Sequence, residues 1–246
     1  MQTYLKTALA ILLIAGMGFL LLIKIPWTVD GGTLEVFFGV FGVVYAIVVG
    51  FALFVVMDNY SSIRNHINSE INALQDLRDF LVYVDDNDEV VAELKSKIKT
   101  YVESVVHKEW SEMRSAHEID LDTSPELYDI MISINRIEPT NQSDFVSLEM
   151  LMETMAQITT HRTNRLGASC DKLPPLLNPL LILLSMIVVF VFTLLPIKDE
   201  LVRFVLNGAN IFALCFIYVV IADLNNPFKG FFSIDNQSYQ DLLKKL

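Results

Sequence analysis

Histidine and carboxylate side chains that could hold a metal ion occur in two short segments of the 246-residue sequence. His107, Glu109 and Glu112 stand in the segment His-Lys-Glu-Trp-Ser-Glu, but a zinc helix needs two histidines four residues apart with a glutamate between them. Asp120 and Asp122 imitate the start of a calcium loop, yet the loop's glycine and closing glutamate are missing. Neither segment predicts a metal centre.

Catalytic motifs are also missing from the sequence. It contains no nucleophile elbow, phosphate-binding loop or dinucleotide fingerprint. Ser185 and Thr193 lie in an apolar stretch that supplies no histidine or aspartate as a base. The formal net charge of −11 argues against nucleic acid as a partner. We therefore expect a protein that is not an enzyme and binds no organic cofactor.

Polar side chains recur on one face of the last apolar stretch: Arg203, Asn207, Asn210 and Tyr218. Polar atoms in hydrocarbon are costly unless they face a partner or water. The two asparagines could form hydrogen bonds across helices while Arg203 reaches the interface, or the whole face could line a water-filled path. The spacing alone leaves both interpretations open.

The second apolar stretch carries two rows of side chains on neighbouring faces. One row is small and repeats every four residues: Gly42, Ala46 and Gly50. The other row is aromatic: Phe37, Phe41 and Tyr45. Small residues permit close helix packing, and rings around an axis can narrow a pore to a dewetted neck. We interpret both rows as candidates for lining a pore, with packing against other helices as the competing interpretation.

Four apolar stretches position these side chains, at residues 8–25, 34–57, 176–195 and 201–222. Each is close to the roughly 20 residues that cross a hydrocarbon core of about 30 Å. The first has no small-residue cleavage site after it, so we expect it to be an anchor rather than a signal peptide. The sequence predicts an all-α integral membrane protein with four transmembrane helices.

Charges near the membrane ends predict how the chain is oriented. In chain order the predicted domains are two spans, a cytoplasmic helical domain, two further spans and a cytoplasmic tail: 1–57, 58–172, 173–222 and 223–246. Four crossings put both termini and the helical domain on one side, and lysine and arginine are more numerous on that side. We expect a multi-pass protein of the cell (inner) membrane with both termini in the cytoplasm.

The predicted cytoplasmic domain contains four amphipathic helices that form a bundle. The first continues the second span as one long helix, because no glycine or proline interrupts residues 57–59. The second should end near His107 and Trp110. Glutamate-rich faces are interpreted as solvated surfaces.

The last two helices of this domain have recognisable starts. Ser124 followed by Pro125 predicts the start of the third. Ser143 and Asp144 predict the start of the fourth. Its predicted buried stripe is apolar: Phe145, Leu148, Met152, Met155 and Ile158.

Three motifs give the chain a resemblance to a known family: Glu109-Trp110, Arg162-Thr-Asn-Arg165-Leu166, and Asp223-Leu-Asn-Asn-Pro227-Phe228-Lys-Gly230. In this order over roughly residues 35–245, the chain resembles the bestrophin-like membrane proteins of prokaryotes and plants. The resemblance implies an oligomeric channel whose four membrane helices continue into cytosolic helices and whose pore follows the second helix. It also implies a calcium-binding clasp after the fourth helix.

The calcium clasp is where this sequence departs from bestrophins. Phe231, Phe232 and Ser233 stand where those proteins carry a run of acidic residues. A calcium ion takes six or more oxygen ligands. The nearby side chains supply few of them: Asp223, Asn226 and Asp235. The sequence therefore predicts at most a weak calcium site.

These observations predict an oligomeric ion channel, a tetramer or pentamer in the lipid bilayer, that conducts small inorganic ions through an axial pore lined mainly by the second span. The acidic balance favours cations and the resemblance favours anions, so the sequence leaves ion selectivity open. The alternative is a non-conducting membrane scaffold or sensor that recruits a cytoplasmic partner.

Overall fold

A computed structural model describes residues 16, 30–84, 88–115, 122, 124–139 and 141–246, and they form helices and loops without a β-strand. Helix α1 is the longest. In chain order the α-helices are α1 Gly31–Phe80, α2 Asp88–Ser104, α3 Trp110–Ser115, α4 Pro125–Asn135, α5 Gln142–Cys170, α6 Leu177–Thr193, α7 Glu200–Leu224 and α8 Gln237–Leu243. A short 3₁₀ turn, Leu81–Tyr83, follows α1, and a π-helical turn, Val105–Glu109, joins α2 to α3.

Among the described residues, two helices are long and apolar enough to cross a membrane: α1 with its 3₁₀ turn, Gly31–Tyr83, and α7, Glu200–Leu224. Helix α6 is apolar but has 17 residues. These three helices contain or closely overlap the second, third and fourth predicted spans. The first predicted span lies, apart from Gly16, outside the described residues, so the count of four remains a prediction.

The chain divides into two compact units. We call them the membrane unit, which holds the described residues up to Asp58 and Lys172–Asn226, and the helical unit, which holds Asn59–Asp171 and Pro227–Leu246. The sequence predicts a separate cytoplasmic tail over residues 223–246. In the structure the part from Pro227 onward belongs to the helical unit, where Phe228, Tyr239 and Leu242 are buried in the core.

The continuous helix α1 agrees with the predicted joining of the second span to the first helix of the insertion. Its 50 residues contain no break at Met57–Asn59. Beyond the apolar stretch a stripe with helical spacing enters the core of the helical unit: Ile63, Ile67, Ile71, Leu74 and Leu77. The sequence pattern and the packing agree here because every buried position on this face is apolar except one, Glu70.

The second helix of the insertion continues past its predicted end. A helix stop was expected near His107 and Trp110, but the π-helical turn leads directly into α3. In an uninterrupted α-helix, residues four apart drift by about 40° around the axis, since 3.6 residues complete a turn. The wider π turn reduces this rotation, so side chains four apart stay on one face across it. On that face four residues are buried: Tyr101, Val105, Glu109 and Met113.

Side-chain caps define the starts of α4 and α5. Ser124 accepts a hydrogen bond from the Leu127 amide at 3.2 Å, as predicted for this helix start. The start of α5 differs from the prediction by one to two residues. Asn141 is the cap, and it forms a reciprocal capping box with Asp144.

The predicted buried stripe of α5 is partly wrong. Met155 and Ile158 are buried, but Phe145 is 57% exposed and Met152 is 49% exposed. The buried face of α5 instead carries polar side chains among its apolar ones: Ser147, Thr154, Arg162 and Arg165. Because polar side chains on this face are buried, assigning every polar residue to solvent predicts the wrong buried face for α5.

Candidate functional site

The aromatic row of α1 packs largely within the membrane unit. Phe41 and Tyr45 contact a cluster of buried residues on α6 and α7: Val188, Val189 and Leu214. The Tyr45 hydroxyl lies 3.1 Å from Ser185 Oγ on α6, within hydrogen-bonding distance. Phe37 stacks on Phe41 with ring centroids 5.3 Å apart. Helix packing, the competing interpretation of this row, accounts for Phe41 and Tyr45 in the protomer.

The small-residue row of α1 lies on a different face, which is open in the protomer. A Cβ atom added to Gly42 or Gly50 would have no described atom within 4 Å outside the local helix backbone. Ala46, between them, is exposed. The fold of one chain therefore does not require these residues to be small.

A third face of α1 was not singled out from the sequence. Val43, Ile47 and Phe51 repeat every four residues and are 59%, 65% and 56% exposed. They lie away from the side that contacts α6 and α7. Because residues 34–57 are apolar around the whole circumference, sequence periodicity could not distinguish this face from that of Phe41 and Tyr45.

The polar side chains of α7 lie on its more buried side. Asn207 is buried and donates a hydrogen bond to the Arg203 carbonyl at 2.9 Å within its own helix. Tyr218 is also buried, and Arg203 and Asn210 are half-buried. The Asn210 Nδ2 atom has no hydrogen-bond partner among the described residues. The bond of Asn207 is thus local, and in the protomer it does not reach another helix, which was one of the two interpretations left open by the sequence.

The residues considered for a calcium clasp are divided between the two units. In the membrane unit Asp223 is buried, and Asn226 donates its side-chain amide to the Ala222 carbonyl at 3.1 Å. In the helical unit Asp235 is exposed and accepts a hydrogen bond from the Gln237 amide. The described part of the chain holds no group of three or more histidine, cysteine, aspartate or glutamate side chains suited to a metal ion.

Four charged side chains form a buried network in the helical unit. Arg165 on α5 contacts two carboxylates, with Nε 2.7 Å from Glu70 Oε2 and Nη2 2.6 Å from Glu109 Oε2. Arg162, one turn earlier, places its Nε 2.7 Å from Glu109 Oε1. Arg162 also donates to the Asp122 carbonyl at 2.8 Å. The network joins α1, α5 and the π-helical turn.

Aromatic side chains surround this network. The Tyr101 hydroxyl donates to Glu70 Oε1 at 2.6 Å, and the Arg165 guanidinium lies 5.7 Å from the centre of the Tyr239 ring. Trp110 packs edge-on against Tyr239 and against Phe228. Together they exclude water from charges that would otherwise be solvated.

Burial and charge oppose each other in the pKa values of this network. Burial alone would raise the pKa of Glu109, but the charges and hydrogen bonds of Arg165 and Arg162 bring it below its usual value. Burial likewise works against the charged form of Arg165, yet the Glu70 carboxylate and other groups around it raise the Arg165 pKa well above normal. Burial, with Glu70 and Glu109 nearby, raises the pKa of Tyr101 far above normal. At neutral pH the arginine and the glutamate are therefore charged and Tyr101 is neutral.

The structure brings together the motifs that carried the family resemblance. Glu109 and Trp110, Arg162 and Arg165, and Phe228 all contribute to this network or to its aromatic shell. The sequence did not identify Glu70, Tyr101 or Tyr239 as members. The interpretation of glutamates as solvated is wrong for Glu70 and Glu109, which are buried. A signal for Glu70 was available: it interrupts a stripe that is otherwise apolar.

Solved structures of other proteins share this fold. A search of curated proteins gave no match. Crystal structures of two mutants of a bacterial bestrophin homologue from Klebsiella pneumoniae each cover 98% of this chain, with TM-scores of 0.71 and 0.65. The alignments cover 98% and 97% of those chains at 12% and 11% identity, so the likeness shows the fold. A crystal structure of a membrane protein covers 98% of this chain and 96% of its own, with a TM-score of 0.65 at 12% identity.

A family comparison extends this from the fold to the sequence. The family model of the bestrophin-like domain matches residues 9–239, which is nearly the whole chain. The chain therefore belongs to the bestrophin-like family.

Proposed function

We propose that the protein is an oligomeric ion channel of bestrophin-like type, and not an enzyme, with an axial pore lined mainly by α1. The observation that carries this proposal is the exposed apolar row of Val43, Ile47 and Phe51 on α1. The resemblance to bestrophins implies that this helix lines the pore. Apolar side chains around an axis form a neck that repels ions until it widens. In this proposal Val43, Ile47 and Phe51 form the neck. Phe41 and Tyr45, on the opposite side of α1, pack against α6 and α7 and hold the helix in position.

Assembly would use the adjacent open face of α1. The glycines at positions 42 and 50, with Ala46 between them, leave room for the backbone of a neighbouring helix to approach. A ring of four or five copies would give each α1 the same two neighbours, as closed cyclic symmetry requires. Small inorganic ions would pass through the centre, and measured reversal potentials would decide between anions and cations.

The experiment is planar-bilayer recording of the purified protein in asymmetric salt, which measures conductance and selectivity together. Ile47→Asn should hydrate the neck and raise the open probability, because asparagine offers water a hydrogen-bonding partner. Val205→Asn is the matched control, since Val205 is an exposed apolar residue on α7. Absence of current from an intact oligomer in every salt, or an unchanged open probability in Ile47→Asn, would overturn the proposal.

A non-conducting scaffold is the second candidate, and one surface favours it. A cavity of about 530 Å³ lies between α4 and α5, lined mainly by apolar side chains that include Met131, Ile134, Met152 and Met155. Flexible methionines suit a surface that accepts a partner segment. The same recordings decide between the two functions, since a scaffold gives no current although the protein is folded and assembled.

A further inference from the structure

A second cavity, of about 270 Å³, lies between α1 and the segment that leads into α8. All of its lining residues belong to the helical unit. Six of the eight carry polar side chains: Tyr60, Arg64, Asn68, Ser233, Asp235 and Ser238. This composition is unlike the apolar cavity between α4 and α5. A polar cavity of this size suits a small, strongly hydrated ligand rather than an apolar one.

Two opposite charges face this cavity without pairing. Arg64 and Asp235 both line it, yet neither forms an ion pair with any described residue. The Arg64 guanidinium lies 6.0 Å from the centre of the Tyr60 ring, a cation–π contact that orients it. Asp235 Oδ1 accepts a hydrogen bond from the Gln237 amide at 3.2 Å, which holds the carboxylate. A ligand that satisfies both walls must carry a negative and a positive group.

The position of Arg64 along α1 narrows the choice of ligand. The apolar stretch of α1 ends at Met57, and Tyr60 and Arg64 follow three and seven residues later on the same helix. At 1.5 Å per residue they lie about 4.5 and 10.5 Å beyond it. Phospholipid headgroups occupy a layer of roughly 5–8 Å on each side of the hydrocarbon core. The Arg64 backbone therefore lies just beyond the headgroup layer, but helical side chains tilt toward the N-terminus, and the Arg64 guanidinium lies beside the Tyr60 ring, one turn nearer the apolar stretch. With the apolar stretch in the bilayer, the guanidinium reaches the headgroup layer.

We propose that this cavity binds a phosphoethanolamine group, with its phosphate on Arg64 and Tyr60 and its primary ammonium on the Asp235 carboxylate. Arginine suits phosphate because its planar fork donates several hydrogen bonds to phosphate oxygens. The carboxylate suits a primary ammonium, which donates hydrogen bonds, better than a quaternary one, which has none to donate. The group comes from a lipid headgroup or from a free phosphoethanolamine. Binding does not depend on whether α1 conducts ions.

Native mass spectrometry of the full-length protein in mild detergent tests the proposal. Phosphatidylethanolamine, phosphatidylcholine and phosphatidylglycerol are added separately, and the bound fraction of each is measured. We expect phosphatidylethanolamine to bind about tenfold or more tightly than the other two lipids. The quaternary ammonium of phosphatidylcholine cannot donate a hydrogen bond to Asp235, and phosphatidylglycerol has no ammonium group. Soluble O-phosphoethanolamine, titrated in a separate arm, shows whether the acyl chains are required.

Matched variants assign the binding to the two charged walls. Arg64→Gln and Asp235→Asn should each weaken binding about tenfold or more, and both residues are exposed, so the core stays intact. Arg136→Gln and Asp129→Asn, exposed charges on α4 and its end, are the controls. If phosphatidylethanolamine binds and O-phosphoethanolamine does not, the ligand is a lipid headgroup. If O-phosphoethanolamine also binds, the acyl chains are not required and the free molecule is a ligand. Equal binding of all three lipids without binding of the soluble compound, or unchanged binding in both variants, would overturn the proposal.

Discussion

Arg165 is fully buried between the carboxylates of Glu70 and Glu109, and the network depends on every hydrogen bond that these three side chains form. Taking charges out of water costs several kcal/mol per ion, which only close partners offset. Any change that leaves one of these charges with fewer partners should therefore be costly. The hydrogen bond from Tyr101 to Glu70 is the most easily isolated of these contacts, since it can be removed without removing a charge.

Tyr101→Phe should lower the free energy of unfolding of the helical unit by about 1.5–3 kcal/mol, the usual contribution of a hydrogen bond to a charged group. Thermal unfolding followed by circular dichroism provides the measurement. Tyr128→Phe is the control, since Tyr128 is exposed and its loss of a hydroxyl should change little. Equal effects of the two variants would show that the Tyr101 hydroxyl does not support the network.

Acid should destabilise the helical unit in a defined pH range. The pKa of Glu109 is lower in the folded chain than its usual 4.5, so folding favours the ionised form. The stabilisation is complete well above pH 4.5 and is lost as the pH falls through the lower folded pKa. We expect the unfolding temperature to be level near neutral pH and to fall below about pH 4.5.

High salt separates this effect from that of surface ion pairs. At about 1 M salt the Debye length is about 3 Å, which screens exposed pairs such as Lys244 with Asp241 and leaves the buried network largely unscreened. The acid transition should persist at that salt concentration. Its disappearance would assign the pH dependence to the surface.

At the scale of single helices, α1 presents three different faces. An aromatic face packs against α6 and α7, while a small-residue face and an apolar face are open in the protomer. Gly42→Leu should weaken self-association by about tenfold, because a larger side chain holds the neighbouring helix away. Native mass spectrometry in mild detergent measures the share of oligomer. Gly208→Leu on α7 is the control, where added atoms also meet open space in the protomer. If the unmutated protein is monomeric, assembly and pore are both refuted.

The helices differ in how far the sequence could predict them. The course of α1 and the cap of α4 follow from local patterns, since an unbroken apolar stripe and a Ser-Pro start need no distant partner. The orientation of α5 does not, because Arg165 is buried only through Glu70, which lies 95 residues away in the chain. The faces of α1 in the membrane were also undetermined, since an all-apolar helix shows which side packs only when its neighbours are known.

For the molecule as a whole, the sequence predicts that the helical unit lies in the cytoplasm, and site-directed labelling tests this. In a background with Cys170 and Cys215 replaced by serine, Glu149→Cys should resist a membrane-impermeant thiol reagent in intact cells. Lys198→Cys, in the loop between α6 and α7, should react with it. The reverse pattern would invert the topology.

The helical unit is discontinuous in the chain, and this has a consequence for how the protein is made. Its first part, Asn59–Asp171, is synthesised before α6 and α7, and its last part, Pro227–Leu246, only after them. Tyr239, whose ring lies beside the Arg165 guanidinium, belongs to the last part. The core of this unit therefore cannot close until both helices have left the ribosome. A fault in inserting α7 would leave Arg165 and its glutamates without Tyr239 and Phe228, the part of their aromatic shell that comes last, and quality-control proteases would recognise the open core.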